Sequence, residues 1–270
     1  MEKQHIIFED LGIINYKAAW DYQEELVKKN LEIKSEARKA EDNEQLAISN
    51  QQSAISKQQS EVQLFHHSPF TIQHSTLTTH PTTSHHLLFC EHPAVYTLGK
   101  NGHIENVLLN EHEMEEKEIE FFRTNRGGDI TFHGLQQVVG YPILDLEKFS
   151  TGIAEYLHRL EEVIILSIAE YGIEGDRSKG ETGVWIEPGK PGKERKICAM
   201  GIRCSRWITM HGFALNVNTD LSYFDNIIPC GIINKQVTSI EKELGHKVNF
   251  EEVKEKLKKN FELVFNATLS

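Results

Sequence analysis

The sequence predicts an α+β domain with a mixed, largely antiparallel sheet and helices packed against it. Three observations carry this expectation. Apolar runs follow one another without a helix between them: Leu87-Leu88-Phe89-Cys90, the breaker Glu91-His92-Pro93, then Ala94-Val95-Tyr96-Thr97-Leu98. Two more strand-like runs, 196–204 and 208–217, are separated only by Ser205-Arg206-Trp207, the pattern of a hairpin. Helical spacing is confined to a few segments, so strands and helices do not alternate as a doubly wound sheet requires.

Taken in order, Tyr16, Ala19, Trp20, Gln23, Leu26 and Val27 recur at helical spacing, with Asn15 as the N-cap. From about residue 34 to 86 the chain turns polar and repetitive, as in Asn50-Gln51-Gln52-Ser53 and Lys57-Gln58-Gln59-Ser60. Its first half extends the helix, with Leu46, Ile48 and Ile55 as scattered apolar contacts, and its second half reads as surface loop or disorder. The expectation is a single domain over residues 1–270 carrying a polar insertion at about 34–86. Six histidines lie between His66 and His86; they read either as solvated filler or as a metal-binding tract. Ile119-Glu120-Phe121-Phe122-Arg123 is a strand. Ile153, Tyr156, Leu157, Leu160, Val163, Ile164 and Ile168 form an amphipathic helix that stops near Gly172. Residues 183–186 are a strand, and Val253, Leu257, Phe261 and Val264 mark a closing helix.

Composition narrows the class. Lys plus Arg is 29 against 40 Asp plus Glu, a formal charge of −11, which opposes non-specific nucleic-acid binding and a cationic membrane-surface role. No apolar run approaches the ~20 residues of a membrane helix, and the first twelve residues lack a secretory pattern. Four cysteines, Cys90, Cys198, Cys204 and Cys230, do not make a disulfide scaffold in a chain this long. A cytoplasmic protein with reduced thiols is expected, with neither nucleic acid nor membrane as partner.

Two constellations carry potential chemistry. In Arg126-Gly127-Gly128-Asp129-Ile130-Thr131-Phe132-His133-Gly134, paired glycines admit positive φ and close approach of a ligand to the main chain. The strand that follows sets Asp129, Thr131 and His133 on one face. The same pattern fits a Gly-Gly hairpin turn with a polar outer face. In the second, a hairpin of 196–204 with 208–217 brings Lys196 opposite Asn216 or its neighbours, and Cys230 follows a short loop later. An ammonium beside a thiol favours the nucleophilic thiolate, and a neutral lysine takes a proton from an incoming amine, so the pair suits acyl transfer. A surface lysine and a buried small cysteine also fit this spacing. Cys198 and Cys204 are spaced too widely for a zinc pair, and no Gly-rich phosphate loop is present. Neither a metal nor a cofactor is expected.

At these residues the chain resembles the lipoyl(octanoyl) transferases. The 126–134 segment, Gln137 and Gly140-Tyr141-Pro142 resemble their signature. Tyr96-Thr97-Leu98-Gly99, Gly183-Val184-Trp185, Lys196-Ile197, His211-Gly212-Phe213-Ala214-Leu215-Asn216-Val217 and Pro229-Cys230-Gly231 match in the same order. The resemblance covers the N-terminal helix and everything from about residue 87 to 240. It implies the mixed α+β fold of the biotin/lipoate protein ligase catalytic domain. It implies transfer of octanoyl from octanoyl-acyl carrier protein to a lysine of lipoyl domains, those of 2-oxoacid dehydrogenase complexes and the glycine cleavage H protein. Catalysis would rest on a Cys230 thioester and on Lys196. The acyl group would be held by Arg126, Gly127, Gly128, Asp129, Ile130, Thr131, Phe132, His133, Ala199, Met200, Gly201, Gly212, Phe213 and Ala214. Departures from the family pattern are Leu135-Gln136 in place of Pro-Gly, Cys198 for Ala, Ile228 for Asn, and the polar insertion.

Two rivals stand beside this reading. An ATP-dependent lipoate or biotin ligase of the same fold needs no cysteine nucleophile. A non-catalytic module would only bind acyl carrier protein or a lipoyl domain. A further expectation concerns charge: Lys193, Arg195, Lys196, Arg203 and Arg206 against Glu194 suggest a basic rim for an acidic partner.

Overall fold

The computed structural model describes residues 3–61, 81–228 and 236–270. The chain divides into two compact units, Met1–Val27 with Ser84–Ser270, and Lys28–Thr83.

In the first unit, β1 (Gln4–Ile13) leads into α1 (Tyr16–Glu61), whose opening turns belong here. There follow β2 (His86–Glu91), β3 (Val95–Leu98), α2 (Glu111–Glu116), β4 (Glu120–Arg123), β5 (Ile130–His133), β6 (Gln137–Ile143) and α3 (Ile153–Ala169). The remainder is β7 (Gly175–Ser178), β8 (Glu181–Ile186), β9 (Arg195–Ser205), β10 (Ile208–Asn216), β11 (Gln236–Val237), α4 (Ile240–Leu244), α5 (Phe250–Phe265) and β12 (Ala267–Leu269).

Among the described residues the larger sheet runs β12-β1-β2-β6-β10-β9-β8-β7, with β11 beside β9, and a smaller one runs β4-β3-β5. In the larger sheet β2, β6, β10, β9, β8 and β7 pair antiparallel in turn, and β1 and β11 are added in parallel. The two apolar runs around Glu91-His92-Pro93 do not pair with each other. That turn carries the chain from β2 in the large sheet to β3 in the small one. The Ser205-Arg206-Trp207 turn does close a hairpin, with Ile208 opposite Ser205 and both Arg206 and Trp207 at positive φ.

Helices cover one face of the large sheet. In α3, Tyr156, Leu160, Val163, Ile164 and Ile168 turn inward, and in α5 Val253, Leu257, Phe261 and Phe265 do the same, meeting Leu87, Phe89, Val138, Val184 and Leu215 from the strands. Asn249 caps α5 by accepting from the main-chain N–H of Glu251 and Glu252, whose carboxylates suit the positive end of the helix. A second core gathers Tyr96, Leu98, Met114, Ile119, Ile130, Phe132, Phe224 and Ile227 around the small sheet.

Sequence reasoning did not find β1, β6, β7 or β12. β6 is central, yet it contains Gly140 and Pro142, which ordinarily argue against a central strand. A Cβ on Gly140 would stand 2.2 Å from the ring of Phe213, so glycine there makes room for the aromatic on the neighbouring strand.

In the second unit the helix continues to Glu61, with Leu46 and Ile48 exposed and Lys28 paired with Glu32 four residues on. The tract from His66 to His80 lies outside the described residues. His85 and His86, the last residues of the expected insertion, belong instead to the first unit and are buried, and β2 begins at His86. Among the described residues no helix is long and apolar enough to cross a membrane.

Candidate active site

Three adjacent strands present a low floor opposite the helical face. Across β9, β10 and β6 the register aligns Ala199 with Ala214 and Ala214 with Val139; Gly201 faces Gly212, and Asn216 faces Gln137. Over this floor lies a cavity of about 340 Å³. Its walls include Arg126, Gly128, Asp129, Ile130, Thr131 and His133 from the small sheet, Met200 and Phe213 beside the floor, and Lys196 with Val237 at one end.

The sequence-predicted residues are thus largely brought together. Arg126, Gly128, Asp129, Ile130, Thr131, His133, Lys196, Ala199, Met200, Gly201, Gly212, Phe213 and Ala214 all line this one space. Gly127 and Phe132 are not among the lining residues. Phe132 points into the second core, stacked on Tyr223 at 4.6 Å. Cys230 lies outside the described residues, and the chain on either side of it is anchored. Ile228 donates its N–H to Asn106 O at 2.8 Å, and Val237 pairs with Lys196.

Lys196 reaches the cavity through an irregularity in the sheet. Strict alternation along β9 would put Lys196 on the same face as Cys198 and Met200, toward the helices. The pairing with β8 instead steps from Val184 opposite Cys198 to Trp185 opposite Lys196, so one residue of β8 spans two of β9. Ile197 and Cys198 both turn into the main core, and Lys196 is returned to the cavity face. Its Nζ lies 4.6 Å from the centre of the Trp185 ring. Cys198, by regular alternation with Ala199, stays on the helical side and outside the cavity lining. Its thiol is fully buried among apolar side chains, and desolvation pushes its pKa up, which keeps it protonated.

The Arg126-Gly127-Gly128 turn is clamped on both sides. Gly127 donates to Ile202 O at 2.9 Å, and Asn101 donates to Gly128 O at 3.2 Å. Gly128 has φ +86° and its carbonyl would be 2.3 Å from any Cβ on Gly99, so both positions demand glycine. The guanidinium of Arg126 reaches under the turn to the carbonyl and hydroxyl of Thr97. Asp129 accepts from Asn106 at 2.8 Å and from the Ile130 N–H at 2.7 Å.

Several lining residues were not assigned to the site from the sequence: Tyr16, Gln137, Tyr141, His211 and Asn216, with Gly180, Glu181 and Thr182 from the β7–β8 hairpin. Gln137, Tyr141, His211 and Asn216 lie inside the quoted motifs, and the signal that marks them is a polar residue in an otherwise apolar strand. Tyr16 comes from the first turn of α1 and stacks on His133 at 5.9 Å and 12°. Three histidines, at positions 92, 133 and 211, are held neutral by burial, with pKa values near 4, 3 and 3. His92 donates from Nδ1 to Ile14 O at 2.7 Å and accepts from the Tyr141 hydroxyl at 2.8 Å. His211, at φ +59°, is fixed by its main-chain N–H to Gln23 Oε1 at 3.0 Å and by Nε2 to Asn125 at 2.7 Å.

One expectation needs correction. The basic rim is largely neutralised: Arg195 is paired with Glu187 at 2.7 Å and Glu243 at 2.6 Å, and Arg203 with Glu24 at 2.9 Å, leaving Lys193 and Arg206 exposed. The Leu135-Gln136 turn forms without glycine. Gln136 takes φ +60°, and its carbonyl accepts from Val217 N, Asn218 N and the Thr219 hydroxyl, contacts that hold a residue in this uncommon conformation.

Residues 66–262 match the lipoyl protein ligase A/B catalytic domain. The octanoyltransferase of Flavobacterium psychrophilum is 51% identical over 265 residues, 98% of each chain. That of Christiangramia forsetii is 49% identical, covering 96% of this chain and 95% of its own. Among solved structures, a bi-partite lipoate protein ligase and its E2 lipoyl domain from Thermoplasma acidophilum aligns with TM-score 0.56 at 16% identity, over 69% of this chain and 73% of that one. Lipoate-protein ligase A bound with ATP aligns with the same score and identity, over 69% and 75%; both show the shared fold. With nearly half or more of its residues shared across almost the full length of these relatives, the chain belongs to the octanoyltransferases, acyltransferases of protein lipoylation built on the lipoyl protein ligase A/B catalytic domain.

Proposed function

We propose that octanoyl passes from octanoyl-acyl carrier protein to a lysine of a lipoyl domain by way of a thioester on Cys230, with Lys196 governing the protons. The observation that carries this reading is the bulge that turns Lys196 into an apolar-floored cavity, beside the anchored ends of the segment containing Cys230. The floor from Asn216 to Gly212 spans four strand residues, about 13 Å at the usual rise, which accommodates an extended eight-carbon chain.

The Cys230 thiolate attacks the donor carbonyl, and the carrier thiolate leaves and takes a proton from the Lys196 ammonium. Neutral Lys196 then accepts a proton from the incoming lysine ammonium, whose amine attacks the thioester. Expulsion of the Cys230 thiolate and loss of the second amine proton to solvent restore the starting pair.

Acceptors in this reading are the lipoyl domains of 2-oxoacid dehydrogenase complexes and the glycine cleavage H protein. Support comes from the octanoyltransferase relatives and from the T. acidophilum ligase whose structure includes an E2 lipoyl domain. A thiol nucleophile is favoured by a reducing compartment, and Cys90 and Cys198 are free thiols, which supports a cytoplasmic location. All lining residues come from the Met1–Val27 and Ser84–Ser270 unit, which supports one catalytic domain carrying a polar insertion at about 34–86.

The test is incubation with octanoyl-acyl carrier protein and an apo lipoyl domain, with and without ATP, followed by intact mass. Octanoylation without ATP is expected. Modification only with free octanoate and ATP would identify a ligase, and binding of either protein without modification would identify a silent module.

A further inference from the structure

Six hydrogen bonds join Arg126 on one wall of the cavity to Lys196 at its end, and their directions are fixed. Asn216 Nδ2 lies 2.9 Å from Thr238 O, and Gln137 Nε2 lies 3.2 Å from Phe132 O. Main-chain carbonyls only accept, so each sets one amide orientation independently of the other. The two amides then agree: Gln137 Nε2 donates to Asn216 Oδ1 at 2.8 Å. Gln137 Oε1 is left to accept, so His133 carries its proton on Nδ1, 2.9 Å away. His133 Nε2 accepts from the Thr97 hydroxyl at 3.3 Å, and that hydroxyl accepts from Arg126 Nη2 at 2.9 Å. At the far end the Thr238 N–H donates to Lys196 O at 2.9 Å.

This chain uses both nitrogens of His133 and both amide hydrogens of Gln137. Asn216 differs. One Nδ2 hydrogen goes to Thr238 O, and the other has no acceptor among the described residues. Asn216 is nine-tenths buried or more, lines the cavity, and is tied through Thr238 to the main chain of Lys196. A buried donor without an acceptor is costly unless a ligand supplies one.

We propose that the second Nδ2 hydrogen of Asn216 donates to the carbonyl oxygen of the bound acyl group, making Asn216 a catalytic residue, with Gln137 and His133 as positioning residues that fix its amide. This rests on the reading of an acyl thioester at Cys230. When the thiolate adds to the donor carbonyl, a carbon–sulfur bond forms and the carbonyl π electrons move to oxygen. Asn216 meets that oxyanion with a hydrogen bond that strengthens as charge develops. Collapse restores the carbonyl, breaks the bond to the carrier sulfur and leaves the new thioester oxygen on the same donor.

The experiment uses the full chain and a donor with a 13C-labelled carbonyl. Acyl-enzyme is formed and quantified by intact mass, single-turnover acylation is timed, and the thioester carbonyl stretch is read from the 12C-minus-13C infrared difference. Asn216→Ala is expected to slow acylation about 10²–10³-fold with little change in donor KM, and to move the carbonyl band to higher wavenumber. Gln137→Glu leaves Asn216 in place, but its carboxylate accepts from Nδ2 and turns the amide over; the same band shift and a smaller rate loss are expected. Should Asn216→Ala fail to fold, Gln137→Glu decides the matter alone. Folded variants with a wild-type band and wild-type acylation rate would overturn the role of Asn216 while leaving the Cys230 thioester standing. Wild-type protein that transfers octanoyl without any protein-bound thioester would overturn both.

Discussion

Lys196 and Trp185 are register partners across β8 and β9, and the lysine Nζ sits 4.6 Å above the indole centroid. The contact exists because the bulge at Ile197 places both side chains on the cavity side of the sheet. A buried cation–π contact contributes about 0.5–2 kcal/mol, and here it restricts a long flexible side chain to one region.

Trp185→Leu removes that restraint. Transfer per folded molecule should fall roughly three- to tenfold, and Trp185→Phe should fall less because a weaker ring remains. Single-turnover transfer normalised to folded protein by near-ultraviolet circular dichroism measures this. Equal rates for Trp185, Phe and Leu would show that the ring only fills space.

Cys230→Ala should abolish transfer with the fold intact. Peptide mapping after exposure to octanoyl donor should place one octanoyl group on the Cys230 peptide. Cys198 should stay unmodified, since its buried thiol is held protonated and away from the cavity. An adduct confined to Cys198 would reverse the assignment.

Lys196→Ala should slow both acylation and transfer to the lipoyl domain. Lys196→Arg should restore part of the first step, because it retains positive charge, and none of the second, because arginine does not give up its proton. The two half-reactions are timed separately. Near-wild-type transfer from acylated Lys196→Arg would leave the lysine an electrostatic role alone.

Burial lowers the pKa of His92, His133 and His211 from 6.5 to about 4, 3 and 3. Between these values the unfolded chain binds more protons than the folded one, so stability rises with pH there. The contribution is complete above pH 6.5 and is lost as pH falls toward 3. At pH 5 the cost is on the order of 1–2 kcal/mol per histidine relative to pH 7. Urea midpoints at the two pH values should therefore differ clearly, and His133→Gln should narrow the difference. Coincident midpoints would contradict the neutral, buried state of these rings.

Much of the site is legible in the residues themselves. The clustered glycines of 126–134 mark backbone open to close approach, and the family resemblance marks the small residues Ala199, Gly201, Gly212 and Ala214; all but Gly127 and Gly134 line the cavity. The hairpin of β9 and β10 follows from two apolar runs and a short turn, and α3 and α5 from their inward stripes. These are local properties: turn chemistry and side-chain period act over a few residues, so the sequence by itself determines them.

Tertiary pairing decided the rest. Period-two alternation sends Lys196 to the helical core with Cys198, and only the unequal pairing of β8 with β9 turns it back. Gly140 and Pro142 argue locally against a strand, yet β6 is central, and the glycine is required there by Phe213 on the next strand, whose ring takes the space above it. The amide orientations of Gln137 and Asn216 depend on the carbonyls of Phe132 and Thr238, the second on a segment 22 positions beyond Asn216. A bulge, a close approach and a hydrogen-bond direction each belong to a pair of strands, and a single strand's residues do not contain them.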